Sequence, residues 1–160
     1  MTEQNKIMNI VNELLKLSDN LVKVKIEERC PLNRNIGGKY NLQEHAITLY
    51  LGEIKKQCEL LFPGKNVFLD YTAVILAHEL GHATDQSLST LVKLHESTEE
   101  PLQKRQIDFL IEFQAWKNAK GFVPNISSSF FNYIKRHSLE YYYSEINKYY
   151  ALYSRDAIRA

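Results

Sequence analysis

The chain has 160 residues, which suits one domain with a single core, and residues 1–160 are predicted to form that domain. A formal net charge of +1 and an ordinary 24% of charged residues give no global basic field, so no nucleic-acid partner is expected. The absence of a membrane-length apolar run or an apolar signal segment, with only two unpatterned cysteines, Cys30 and Cys58, predicts a soluble protein of the reducing cytoplasm with no membrane partner.

The first third of the chain changes from a helical to an alternating pattern. Residues 5–17 place apolar side chains at helical spacing and predict an amphipathic helix, which ends at 18–20. Apolar and charged residues alternate over 22–27 and predict a half-buried strand. A second strand is predicted at 45–51, as part of a hairpin with its turn at 41–44.

Helical patterns dominate the rest of the chain. Residues 52–61 predict a helix that Pro63-Gly64 ends, and 101–120 predict a long helix that begins at a proline. Two further helices are predicted near 127–136 and 138–157. The last of them contains six tyrosines. Their rings either pack on the core with the hydroxyl groups exposed to solvent, or form a surface that binds a partner.

The most informative stretch is His78-Glu79-Leu80-Gly81-His82, which follows an apolar run at 73–77. On a helix, residues four apart share a face, so His78 and His82 can bind one Zn²⁺. Glu79 is offset from them, which makes it a poor ligand but a suitable base for a water molecule at the metal. The apolar run predicts that this helix is buried.

A catalytic zinc needs a third protein ligand, and Glu112 is the predicted one. It lies thirty residues after His82 among apolar neighbours, where a charge is costly unless it is paired or binds a metal. Ala115 would let two helices approach closely, and Trp116 could wall the site. Two alternatives to Glu112 remain, Asp85 and Asp108. Each could be a metal ligand or a carboxylate that orients a histidine. Packed or surface positions are expected for the other histidines, His45, His95 and His137.

The motif at 78–82, followed by Glu112-Phe113-Gln114-Ala115, resembles the ImmA/IrrE-like zinc metallopeptidases of bacteria and their mobile elements. Gly37-Gly38-Lys39-Tyr40 and the strand at 46–50 are similar to the turn and strand that precede the active-site helix in that family. The resemblance implies that His78, His82 and Glu112 bind one Zn²⁺ per chain and that Glu79 is the catalytic base. The expected fold is α+β in the minimal zincin style, a small twisted sheet on the active-site helix with additional helices.

These residues predict a zinc metallopeptidase that cuts a peptide bond. The resemblance implies that the substrate is a specific cytoplasmic protein, such as a regulator or repressor of a mobile element. The strand at 46–51 is expected to be the sheet edge that pairs with the extended substrate. The alternative is a non-catalytic zinc-containing interaction protein, such as an antirepressor, which the tyrosine-rich C-terminus favours and the presence of Glu79 opposes.

Overall fold

The computed structural model describes residues 1–18 and 21–159, and within these ranges six α-helices and one three-stranded mixed sheet form an α+β fold. The predicted α+β class is therefore confirmed. The helices are α1 (Glu3–Ser18), α2 (Leu51–Leu61), α3 (Phe68–Ala83), α4 (Leu88–Ser97), α5 (Pro101–Ala119) and α6 (Ser128–Arg159). The strands are β1 (Lys23–Glu27), β2 (Gly38–Asn41) and β3 (Ala46–Tyr50). Of the predicted break at 18–20, residues 19 and 20 lie outside the described residues.

The central strand of the sheet is β3, which pairs with β1 in parallel and with β2 in antiparallel orientation. The predicted hairpin is confirmed, and the Asn41 side-chain oxygen holds its turn by accepting hydrogen bonds from the backbone N–H groups of Gln43 and Glu44. The prediction that the strand at 46–51 is an edge is wrong, because it is paired on both sides. Leu51 is already the first residue of α2.

The helix at the centre of the molecule is α3. It packs against α1, α2, α5 and the strands β2 and β3, and every residue from Tyr71 to His82 is buried. Its sequence is apolar on nearly every side, which suits a helix surrounded by other elements. The prediction of a buried helix around the histidine motif is confirmed.

Two helices differ from the sequence predictions. No helix is predicted between the histidine motif and residue 101, but the structure has α4 there, and the Asp85 carboxylate accepts a hydrogen bond from the backbone N–H of Ser87, 2.8 Å away. The two helices predicted near 127–136 and 138–157 are one continuous helix, α6. Neither glycine nor proline interrupts the chain at 137, and the Ser138 hydroxyl accepts a hydrogen bond from Trp116.

Both cysteines are buried free thiols. Among the described residues, no helix combines the length and the apolar character that crossing a membrane requires.

Candidate metal centre

The two histidines of the motif lie one turn apart on the same face of α3. Their ring centroids are 4.7 Å apart, and both residues are buried. Donor atoms of His78, Glu79 and His82 lie within 4.8 Å of one another, so this group could hold a metal ion. The helical spacing of the motif therefore brings its residues together as predicted.

Helix α5 brings Glu112 to the same histidines. Glu112 Oε2 lies 2.9 Å from His78 Nε2, and Glu112 Oε1 lies 3.4 Å from His82 Nε2. Ligands about 2.0–2.1 Å from a tetrahedral zinc are separated from one another by about 3.3 Å. The distances from Glu112 to the two Nε2 atoms are therefore close to the spacing between two ligands of one such ion.

Two carboxylates, Glu79 and Glu112, compete for the third place beside the histidines. Glu112 reaches the Nε2 atoms of both rings, whereas Glu79 Oε1 lies 3.4 Å from the opposite nitrogen of His78, Nδ1. Glu112 thus lies beside the Nε2 atoms of both histidines, whereas Glu79 lies beside the Nδ1 atom of His78.

A close crossing of α3 and α5 places Glu112 within reach. A Cβ atom on Gly81 would collide with the carbonyl oxygen of Ala115, so the two backbones are in contact at this point. The Asn118 side chain fixes the crossing by donating a hydrogen bond to the carbonyl oxygen of Gly81, 3.2 Å away. The close helix approach inferred from Ala115 is confirmed, and Gly81 and Asn118 are its other parts.

The site favours a positive charge at its centre. Burial by itself lowers the pKa of His78, but hydrogen bonds and charge from Glu112 and Glu79 outweigh it and raise that pKa to about 10. Burial alone would raise the pKa of Glu112, but the hydrogen bonds from His78 and His82 hold it well below its usual range. A divalent cation can take the place of the proton between these groups.

The carboxylate of Glu79 lies against the edge strand β2. A Cβ atom on Gly38 would be 2.8 Å from Cγ of Glu79 and 3.0 Å from its Oε1, so any other residue at 38 would force one of them to move. Tyr50 N–H donates to Gly37 C=O, and the register pairs Gly38 with Leu49, so alternate residues of β2 turn their backbone groups away from β3. Among the described residues, the backbone groups of Gly38 and Tyr40 on this edge of β2 therefore pair with no other strand, and Gly38 lies beside Glu79.

A cleft of about 970 Å³ opens over these residues. One wall is the segment from Arg34 to Tyr40, and another is formed by α6. The residues of α6 in that wall follow one another at helical spacing: Ile134, His137, Ser138, Tyr141 and Tyr142. Sequence reasoning missed this wall because it divided the helix at 137, which hid the stripe. It also missed the contact of Gly38 with Glu79, although the glycine pair at the start of the strand was visible.

The rival ligands lie elsewhere. The Oδ1 atom of Asp85 accepts two hydrogen bonds from Ser87, and its other oxygen is buried with no hydrogen-bond partner among the described residues. Asp108 Oδ1 lies 3.1 Å from His95 Nε2. His45 Nδ1 shares a hydrogen bond of 2.7 Å with the Tyr40 hydroxyl. The structure gives Asp85 and Asp108 partners other than His78 and His82.

Comparison of the chain with protein-family models, with curated proteins and with solved structures finds no match. The proposed function therefore rests on the geometry of the candidate metal centre. Two imidazoles and one carboxylate form a donor set that suits Zn²⁺ and several other divalent ions.

Proposed function

We propose that this protein is a zinc-dependent metallopeptidase that hydrolyses a peptide bond in a specific protein substrate. The observation that carries the proposal is the contact between Glu79 and the free edge of β2, directly beside the His78–His82–Glu112 cluster. A base, a metal donor set and a backbone edge that can hold an extended peptide meet at one point of one cleft.

The proposed zinc ligands are His78, His82 and Glu112. The donor set fits the ion, because it combines two nitrogens with one anionic oxygen, and the ion pairs of Glu112 among the described residues are with these histidines. A bound zinc ion supplies the Lewis acidity that polarises a carbonyl group and lowers the pKa of a water molecule.

Glu79 is the proposed general base. Its carboxylate takes a proton from the attacking water as the water oxygen bonds to the carbonyl carbon, and it returns that proton to the amine nitrogen as the C–N bond breaks. One peptide and one water molecule thus become a carboxylate and an amine. The backbone of Gly38 lies close to the Glu79 side chain and limits its movement.

The substrate strand is proposed to pair with β2. The free N–H and C=O groups of Gly38 and Tyr40 can bond the backbone of an extended peptide, which gives affinity without regard to sequence. The apolar walls of the cleft then select the side chains. This assignment replaces β3 by β2 as the substrate-binding strand.

The resemblance of 78–82 and 112–115 to ImmA/IrrE-like metallopeptidases supports the same proposal, together with a minimal zincin-style arrangement of the sheet over α3. By that resemblance the substrate is a cytoplasmic regulator, such as a repressor of a mobile element.

The test is digestion of a proteome-derived peptide library with zinc-loaded wild-type protein and with Glu79→Gln, followed by mass spectrometry of new termini. The glutamine cannot accept the proton, so we expect the variant to keep its zinc and to release no new termini. Cleavage by both proteins would contradict the role of Glu79.

A second candidate is a non-catalytic zinc-containing interaction protein. The observation that favours it is the exposure of four tyrosines of α6, which are between 51% and 65% exposed: Tyr141, Tyr143, Tyr150 and Tyr153. A zinc-loaded wild-type protein that cleaves nothing in the library would make this candidate the leading one.

A further inference from the structure

The only tryptophan of the chain, Trp116, lies flat against a proposed zinc ligand. The ring centroids of Trp116 and His78 are 4.4 Å apart, and the planes of the two rings differ by 17°. Trp116 is 1% exposed, so solvent does not compete for this contact. It follows Glu112 by one turn of α5, so the same helix face delivers both the ligand and the stacked ring.

Trp116 is itself held by α6. Its Nε1–H donates a hydrogen bond to the Ser138 hydroxyl, 3.3 Å away, and its ring meets Phe131 edge-on at 5.6 Å. Ser138 and Phe131 both belong to α6. The orientation of the indole is therefore set by the packing of α6 against α5.

An imidazole ligand must present one nitrogen in the correct direction, and two contacts are needed to fix it. The hydrogen bond between Nε2 and Glu112 sets the direction within the ring plane. The stacked indole sets the tilt of the plane itself, because rotation of the imidazole about the Cβ–Cγ bond of His78 would drive it into Trp116. Groups that orient a ligand in this way commonly change metal affinity by about 10- to 100-fold.

We propose that Trp116 is a positioning residue for the metal centre, and that through it the docking of α6 on α5 controls metal affinity. The proposal rests on the metal site proposed above. A sequence motif that consists only of metal ligands does not include Trp116, because Trp116 affects the metal through its contact with His78.

The experiment measures the zinc dissociation constant by competition with a chromophoric chelator, together with the unfolding temperature of each metal-free protein. We expect Trp116→Leu to raise the dissociation constant by about 10- to 100-fold. Trp116→Phe keeps an aromatic face over His78 and should recover part of that loss, and Ser138→Ala should produce a smaller increase. The last two variants keep the test valid if Trp116→Leu does not fold.

The matched control is Leu14→Ala, at a buried residue of α1 that lines no part of the cleft. It should lower the unfolding temperature and leave the dissociation constant within about twofold of wild type, since it changes neither a proposed ligand nor a group that orients one. An equal increase in Leu14→Ala and Trp116→Leu would overturn the proposal, because the effect would then be general loosening of the core. Unchanged zinc affinity in all Trp116 and Ser138 variants would also overturn the proposal. A wild-type protein that binds no zinc would overturn the proposed metal site as well.

Discussion

Gly38 lies in contact with Glu79: a Cβ atom added to the glycine would be 2.8 Å from Cγ of the glutamate. This relationship joins the edge of the sheet to the proposed base. Because a side chain at 38 displaces the carboxylate, the position links the fold directly to the chemistry.

The first prediction concerns this contact. Gly38→Ala should shift the Glu79 carboxylate and lower kcat by about 100-fold, the size of effect expected for a displacement near 1 Å, with zinc content unchanged. The matched control is Gly121→Ala, because a Cβ there meets nothing within 4 Å. Full activity in Gly38→Ala would show that the position of Glu79 does not matter for turnover.

The second prediction identifies the third ligand. Glu112→Ala should reduce the zinc content of purified protein from one ion per chain to a small fraction, measured by plasma mass spectrometry. Glu79→Gln should keep its zinc, and so should Asp108→Asn, one turn before Glu112, where the carboxylate pairs with His95. Full zinc occupancy in Glu112→Ala would instead identify Glu79 as the third ligand, within the His78–Glu79–His82 group.

The third prediction tests the crossing of α3 and α5. Within a helix, replacing glycine by alanine ordinarily stabilises by about 1 kcal/mol. At Gly81 the added Cβ meets the backbone of Ala115, and no rotamer change can relieve this overlap. Overpacking of this kind costs about 1–3 kcal/mol or more, so we expect net destabilisation of the metal-free protein in urea, with weaker zinc binding because Glu112 moves away. A more stable Gly81→Ala protein would contradict the close crossing.

The fourth prediction is a pH dependence. The pKa of His78 is raised in the folded metal-free protein to about 10, so its contribution to stability is present below about pH 6.5 and is lost as the pH rises toward 10. The pKa of Glu112 is lowered, so its contribution is present above its unfolded value and is lost in acid. Urea unfolding at several pH values should show both losses, and zinc binding near pH 7 should release a proton. Calorimetry in buffers of different ionisation enthalpy measures that release, and the absence of any release would contradict the raised pKa.

The sequence predicted most residues of the candidate metal centre, because the pattern that brings them together is local. Two histidines four apart share a helix face wherever the helix lies, and a glutamate among apolar residues needs a buried partner. Glu112 was found in this way, and the structure places it beside both histidines. The partners of Asp85 could not be assigned in the same way, since they depend on the unexpected start of α4.

Strand order and long-range packing were not accessible from local patterns. Alternation identifies β3 as a strand but does not say whether both of its edges are paired, which is why it was taken for an edge. The contact of Gly38 with Glu79 and the stacking of Trp116 on His78 join residues about forty positions apart. Only the three-dimensional arrangement shows them, and both concern how the proposed machinery is held rather than which residues form it.

The last prediction concerns substrate charge. Apart from Glu79 and Glu112, the Asp, Glu, Lys and Arg side chains that line the cleft are two basic ones, Arg34 and Lys39, in the wall that contains β2. Peptides cleaved from a library should therefore be enriched in acidic residues on the segment that pairs with β2.

Exposed ion pairs contribute up to about 1 kcal/mol each, so reversing both charges with Arg34→Glu and Lys39→Glu should lower kcat/KM for such peptides by about tenfold. Added salt should reduce the difference, because exposed charges are screened. The same reversal at Lys23 and Lys25, on the opposite edge strand β1, changes the net charge equally and should leave kcat/KM unchanged. An equal loss in both double variants would assign the effect to net charge instead of the cleft, and no acidic enrichment would show that the β2 wall does not select by charge.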